Sequence, residues 1–274
     1  MNGKGDRTMA LINCVFNSKY LGYDTQVNVI LPENKDPQKF DEDRDYQFQV
    51  LYLLHGLGDD CNGWIRGTSI ERYAQEHCLA VVMPTGENSF YVNGKNGKRY
   101  FSYMTEELPK KMAKWFPISS KPEDTFIAGL SMGGYGTAKI GLTYPERFAA
   151  MGIFSAAVMP DKLEEAKDSF EQEMVDATRR NAFGELPYDP ENLPVYLMEE
   201  LVRNGRKIPP IYHYEGKQDF LLDMNREFAQ LCKSNNVDLT YEEWDGVHDW
   251  KFWDTAIEKA LNAFPLKNRV LYKD

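Results

Sequence analysis

Apolar residues along this chain cluster in short solid runs separated by longer mixed stretches. Positions 50–54, 79–83 and 125–130 are almost continuously apolar and bounded by turn-forming residues, and 150–156 repeats the pattern more weakly. Runs of this length, without polar alternation, are expected of strands buried on both faces. Between them the spacing becomes helical. A short helix is expected over 70–76, and a longer one over 106–116 with Leu108, Met112, Trp115 and Phe116 on one side. Another starts after Ser131 and ends near Tyr144, because the following Pro145 disfavours helix at that residue. Positions 14–16 and 26–31 read as antiparallel lead-in strands, and the polar stretch 32–45 as a surface loop. Later come strands at 211–214 and 237–244. A helix with Leu221, Met224, Phe228 and Leu231 on one stripe lies between them, and a closing helix covers 250–264. Strands alternating with helices predict the α/β class, with a mostly parallel central sheet covered on both faces.

The stretch from 160 to 209 departs from this rhythm. It is charged and helical, with Leu163, Ala166, Phe170 and Met174 near one face and prolines at 187, 190 and 194. It reads as a helical insertion between two core strands, either a solvated decoration or a lid or wall that shapes a substrate pocket. Residues 1–9 read as an N-terminal extension or cloning scar ahead of a single domain over 10–274, a length that one core can serve.

Composition narrows the function. With 32 Lys and Arg against 42 Asp and Glu, the net charge is −10, which argues against a protein that holds nucleic acid by its phosphates. No apolar run approaches the roughly 20 residues of a membrane span, and no signal peptide is legible at the start. Cys14, Cys61, Cys78 and Cys232 form no CxxC pair, so they are expected to be reduced thiols in a cytoplasmic protein. Four scattered histidines lack ligand spacing, so no metal is expected, and the chemistry that the sequence suggests below needs no cofactor.

The sharpest chemical signal is Gly129-Leu130-Ser131-Met132-Gly133, a G-x-S-x-G sequence set between an apolar run and a helix. A nucleophilic serine must stand on a tight strand-to-helix turn, with glycines where side chains would clash, and the helix N-terminus behind it favours a developing oxyanion. Such a serine needs a histidine base and an acid to orient it, in the chain order Ser, acid, His. Of the two histidines after Ser131, His248 lies in a loop past the last strand, while His213 lies inside a strand and reads as structural. Asp219, just past the strand that precedes the penultimate helix, is the expected acid, with Asp223 one turn further on as the alternative. Asp245 and Asp249 read as loop-capping residues. Oxyanion donors are expected at the Met132 amide and in His55-Gly56-Leu57-Gly58, with Leu57 preferred over its glycine neighbours; His55 reads as a structural hydrogen-bonder. Trp64, Tyr91 and Tyr103, with Met132, are the candidate walls of a substrate pocket.

HGLGDD at 55–60, Gly63-Trp64, the run 70–84, EELP at 106–109, GLSMGGYG at 129–136 and the late Asp219 and His248 together resemble the esterase D family of α/β-hydrolases. The closest branch is that of bacterial tributyrin and acetyl esterases and feruloyl esterases. The resemblance implies the α/β-hydrolase fold, a Ser131–Asp219–His248 triad, Leu57 and Met132 as oxyanion donors, and frequent homo-oligomers. The expected activity is hydrolysis of short-chain acyl or aromatic esters, including acylated sugars, through an acyl-enzyme. S-formylglutathione thioester hydrolysis and acyl transfer are alternatives on the same triad, and the intact set argues against a non-catalytic relic.

Overall fold

A computed structural model describes residues 9–32, 47–163 and 170–267, apart from the side chains of residues 170–172 and 174. Eight strands form one sheet: β1 (Met9–Asn17), β2 (Asp24–Pro32), β3 (Gln49–Leu54), β4 (Leu79–Pro84), β5 (Thr125–Leu130), β6 (Ala150–Phe154), β7 (Ile211–Gly216) and β8 (Leu239–Trp244). The spatial order is β1-β2-β4-β3-β5-β6-β7-β8, antiparallel at β1–β2 and β2–β4 and parallel from β4 onward. The chain leaves β3 toward β4 on one side and returns as β5 on the other. That reversal opens a crevice at the carboxyl ends of β3 and β5, where open α/β sheets bind ligands. The helices are α1 (Gly63–Gly67), α2 (Ile70–Glu76), α3 (Leu108–Trp115), α4 (Met132–Thr143), α5 (Phe170–Phe183), α6 (Pro194–Arg203), α7 (Leu222–Ser234) and α8 (Trp250–Ala263). This is the α/β-hydrolase arrangement.

Two apolar layers sandwich the sheet, and strand alternation assigns residues to them. Val50, Tyr52 and Leu54 of β3 join the layer of Met112, Tyr135, Ala138, Met198 and Phe228, beneath α3, α4, α6 and α7. Leu51 and Leu53 join Ile70, Tyr73, Phe252, Ala256 and Ile257, beneath α2 and α8. Both faces of β3 are therefore buried, which is why its sequence shows no polar alternation.

Several boundaries differ from expectation for local reasons. β6 stops at Phe154, not 156, because Ser155 turns into the left-handed region at φ 43°. The helix expected over 106–116 begins earlier: a turn at Tyr100–Ser102 and a wide π-type turn at Tyr103–Glu107 run into α3. Pro109 has no N–H for the Thr105 carbonyl four residues back, and that carbonyl accepts Arg147 Nη1 at 2.9 Å instead. The expected loop over 32–45 falls almost wholly outside the described residues, as do residues 1–8 and part of the 163–174 face. Among the described residues no helix is long and apolar enough to cross a membrane, and the four cysteines are free thiols.

Between β6 and β7 the chain carries α5 and α6. This segment is fastened to α4 by two buried side chains. Tyr135 Oη donates to the Asn192 carbonyl at 2.7 Å, and Lys139 Nζ to the Glu191 carbonyl at 2.6 Å. Burial lowers the Lys139 ammonium to about 8.

The start of α4 lies so close to the sheet that a Cβ at Gly133 would sit 2.4 Å from the Leu54 carbonyl oxygen and 2.6 Å from that of His55. Both obstacles are backbone, so Gly133→Ala is expected to cost at least about 2 kcal/mol through overpacking. Urea unfolding of the folded variant measures this, and an unchanged midpoint would contradict the close approach.

Candidate active site

Ser131 joins β5 to α4 with φ 51° and ψ −117°, a conformation rare for a residue with a Cβ. Strain of this kind persists only where the surroundings enforce it. Here the Ser131 N–H donates to the Phe154 carbonyl at 2.9 Å, and the Ser131 carbonyl accepts from Tyr135 at 3.1 Å and Ala157 at 3.3 Å. The hydroxyl is thus presented at the mouth of the crevice and not along the strand.

Asp219 and His248 come to it from two neighbouring loops. The turn after β7 is closed by the Asp219 N–H on the Gly216 carbonyl, and it meets the loop after β8 through Gln218 N–H on the Gly246 carbonyl, each at 3.0 Å. His248 Nδ1 lies 2.8 Å from Asp219 Oδ2, and His248 Nε2 lies 3.0 Å from Ser131 Oγ. With Asp219 ionised, Nδ1 carries the proton and donates to it, so Nε2 is the free base facing the serine. The Asp219 side chain is completely buried, whereas that of His248 is partly open to solvent. Burial alone would raise the Asp219 carboxyl. The hydrogen bond and charge of His248, with the Leu221 N–H donating to Oδ1 at 2.9 Å, outweigh it and hold the group below its ordinary value. Such a relay can remove a proton from a hydroxyl, hold it on an imidazole and return it to a leaving group.

Opposite the serine lies the loop after β3. Its peptide N–H at Leu57, and that of Met132 at the start of α4, have no acceptor among the described residues. Two such amides beside a serine hydroxyl can serve as a nest for negative charge. The flanking Gly58 takes φ 81°, and its N–H is anchored on Asn88 Oδ1 at 2.8 Å. His55 secures the loop from within. Its Nδ1 donates to the Gly56 carbonyl at 2.7 Å and Nε2 accepts the Gly86 N–H at 2.8 Å, while burial lowers its basicity. Both ring nitrogens are thereby used, which leaves His55 structural. His213 is structural for a different reason: it is completely buried, its Nε2 donates to Asn225 Oδ1 at 2.7 Å, and burial lowers its basicity to about 4. Asp249 caps α8 by accepting the Phe252 N–H at 2.9 Å, and Asp223 is fully exposed and does not reach the histidine.

The three aromatic residues expected to wall a pocket are buried in the frame instead. Trp64 donates its indole N–H to the Leu54 carbonyl at 3.0 Å. Tyr91 donates its hydroxyl to the His55 carbonyl at 2.9 Å, and Tyr103 packs with Tyr100 and Phe16. Each has enough apolar surface to be drawn into the core, and Trp64 is tied to the end of β3 while Tyr91 is tied to the first residue of the loop after it. The exposed aromatic at the mouth is Phe220, 77% exposed with its ring 4.6 Å from that of His248. Trp253 flanks the imidazole on edge at 4.9 Å. Sequence reasoning missed both, although each lies within a few residues of Asp219 or His248. It also missed Asn88, for which no local pattern exists. Among the described residues no group of three or more His, Cys, Asp or Glu is arranged to hold a metal ion.

Comparison with known proteins identifies the family. A sequence model of the Esterase family, described as "Putative esterase", matches residues 18–264. An acetyl esterase of Caldicellulosiruptor saccharolyticus is 34% identical over 267 residues, covering 96% of this chain and 99% of the relative. Among solved structures, FphF, a fluorophosphonate-binding serine hydrolase of Staphylococcus aureus with substrate bound, superposes with a TM-score of 0.84 at 36% identity. It covers 94% of this chain and 98% of its own. An S-formylglutathione hydrolase of the same organism, as apoenzyme, gives 0.80 at 37% identity over 93% and 98%.

Two outcomes follow from the geometry. Asn88→Ala removes the anchor of the Leu57 loop, so kcat on a chromogenic ester should fall roughly tenfold with little change in KM, as for a contact used mainly in the transition state. Equal losses in both constants would point to general loosening. The depressed Asp219 carboxyl contributes stability that is present above the unfolded carboxylate range and is lost as pH falls through its lower folded value. The stability gap between wild type and Asp219→Asn, read from urea unfolding, should therefore shrink below about pH 4. A gap that is constant down to pH 3 would contradict the assignment.

Proposed function

This chain belongs to the Esterase family and is a serine ester hydrolase, and we propose that it works through a Ser131–His248–Asp219 triad on short acyl esters of neutral alcohols. The observation that carries the triad reading is the unbroken relay from Asp219 Oδ2 through His248 to Ser131 Oγ, at 2.8 and 3.0 Å, on a serine held at φ 51°.

In this reading Ser131 Oγ attacks the ester carbonyl carbon while His248 Nε2 takes the hydroxyl proton. Asp219 stabilises the imidazolium and keeps its Nδ1–H directed inward. The carbonyl oxygen, now an oxyanion, lies between the Leu57 and Met132 amides, where preformed donors need no reorganisation. Collapse expels the alcohol, which receives the proton from Nε2 and leaves an acyl-Ser131. Water then enters, gives its proton to His248 and releases the acid.

The acyl preference rests on the mouth of the site. Phe220 offers an exposed aromatic face beside His248, and Val247 is also half exposed there. An apolar rim of this kind suits an acetyl, butyryl or aromatic acyl group, and the acetyl esterase relative agrees with its short end. Acylated sugars fit as the alcohol side. The S-formylglutathione hydrolase neighbour favours a second reading, thioester hydrolysis by the same attack.

Initial rates on p-nitrophenyl acetate, butyrate and octanoate, on methyl ferulate and on S-formylglutathione test these readings, with Ser131→Ala in parallel. The expected result is highest kcat/KM on acetate or butyrate and a loss of at least about 10⁴-fold in the variant. Preference for the thioester would move the assignment to the second reading. Equal activity of wild type and variant would remove Ser131 from the mechanism.

A further inference from the structure

The relay leaves one buried acid without a task. Glu215, near the end of β7 and four residues before Asp219, is completely buried. Its Oε1 accepts the Gly216 N–H at 3.2 Å, whereas Oε2 meets no donor among the described residues. The turn after β7, closed by the Asp219 N–H on the Gly216 carbonyl at 3.0 Å, brings Asp219 back beside Glu215, and the Asp219 carboxylate acts on the Glu215 carboxyl. Two ionised carboxylates so placed in the interior would repel each other, whereas a carboxylic acid against a carboxylate forms a strong, charge-assisted hydrogen bond. That bond would also satisfy the orphaned Oε2.

The other groups facing Glu215 offer no cation to pair with it. On β7, His213 is neutral, as argued above. On β8, Glu243 lies in register with Glu215, and Tyr241 donates its hydroxyl to that same Glu243 at 2.8 Å. On α7, Arg226 gives its guanidinium to Glu243 at 2.8 and 2.7 Å, and in the turn after β7 Lys217 also acts on Glu243.

We propose that Glu215 is a positioning residue for Asp219, donating a hydrogen bond as a neutral carboxylic acid to the carboxylate that orients His248. The proposal rests on the triad reading above. Burial, followed by the neighbouring Asp219 carboxylate, pushes the Glu215 carboxyl up to about 9, so the donor is present at neutral pH. On the alkaline side Glu215 releases its proton to solvent. The donor is then lost, and a second negative charge stands against Asp219.

The test compares wild type, Glu215→Gln and Glu215→Leu on p-nitrophenyl acetate from about pH 6 to 10, with spontaneous hydrolysis subtracted. Wild-type kcat/KM should fall above about pH 9 as the donor ionises. At neutral pH the Leu variant should lose about tenfold or more in kcat with KM nearly unchanged. The Gln variant, whose amide donates but cannot ionise, should restore kcat and remain level on the alkaline side. An alkaline fall unchanged in Gln, or a Leu variant with wild-type kcat, would overturn the proposal.

Should Leu fail to fold, stability supplies a second readout that needs no activity. A carboxyl raised in the folded state contributes stability below its unfolded value and loses it as pH rises through the folded one. Wild type should therefore weaken relative to Gln between about pH 5 and 9 in urea unfolding, and parallel curves would count against the contact. Full activity of Ser131→Ala would instead remove the triad reading, leaving the stability comparison to report on the Glu215–Asp219 contact by itself.

Discussion

The backbone of α4 approaches the ends of β3 and β5 more closely than any side chain would allow. Gly129 and Gly133 stand where a Cβ would fall 2.3 Å from the Gly133 carbonyl oxygen and 2.4 Å from that of Leu54. This contact fixes two things together. It forces Ser131 into its left-handed conformation, and it sets the first turn of α4 beside the loop that follows β3. The Ser131 hydroxyl and the Leu57 and Met132 amides, which meet no acceptor among the described residues, are therefore set near one another by the backbone itself. Preorganisation of this kind comes from backbone packing, so it is set by the folding of the central sheet.

Around that point the same residue types do different work because their surroundings differ. His55 and His213 are buried, with lowered basicity, and their hydrogen bonds tie the loop after β3 to the loop after β4 and β7 to α7. His248 keeps an open edge and a carboxylate behind it. The acids divide likewise. Asp249 caps a helix, Asp223 lies in solvent, and Asp219 is enclosed with its two oxygens engaged by His248 and the Leu221 amide.

The strands and the serine turn were legible because their signals are local. Continuous apolar runs mark strands covered on both faces, and G-x-S-x-G records a steric demand within five residues. The order of Ser131, Asp219 and His248 along the chain was enough to bring out three residues that the fold draws together. Side chains whose role depends on distant partners were less legible. Trp64, Tyr91 and Tyr103 looked like pocket walls from their loops, yet the core claimed them through contacts that sequence spacing does not encode. Phe220 shows the reverse, an aromatic residue left outside because its neighbour Asp219 turns inward. Asn88 became visible only once the loop after β4 was seen against the loop after β3. The wide turn at Tyr103–Glu107 lies mostly before the helix expected over 106–116, and its apolar spacing gave no sign of it.

Tyr135 and Lys139 reach from the helix behind the serine to two consecutive carbonyls, Asn192 and Glu191, in the segment between β6 and β7. Carbonyl oxygens are the same in every residue, so these two bonds make no demand on the side chains of the segment they hold. The sequence on its outer surface is free to diverge while its seat on α4 stays fixed. A lineage could exchange one such segment for another, and an engineer could graft one, with the two pegs left untouched and the serine undisturbed.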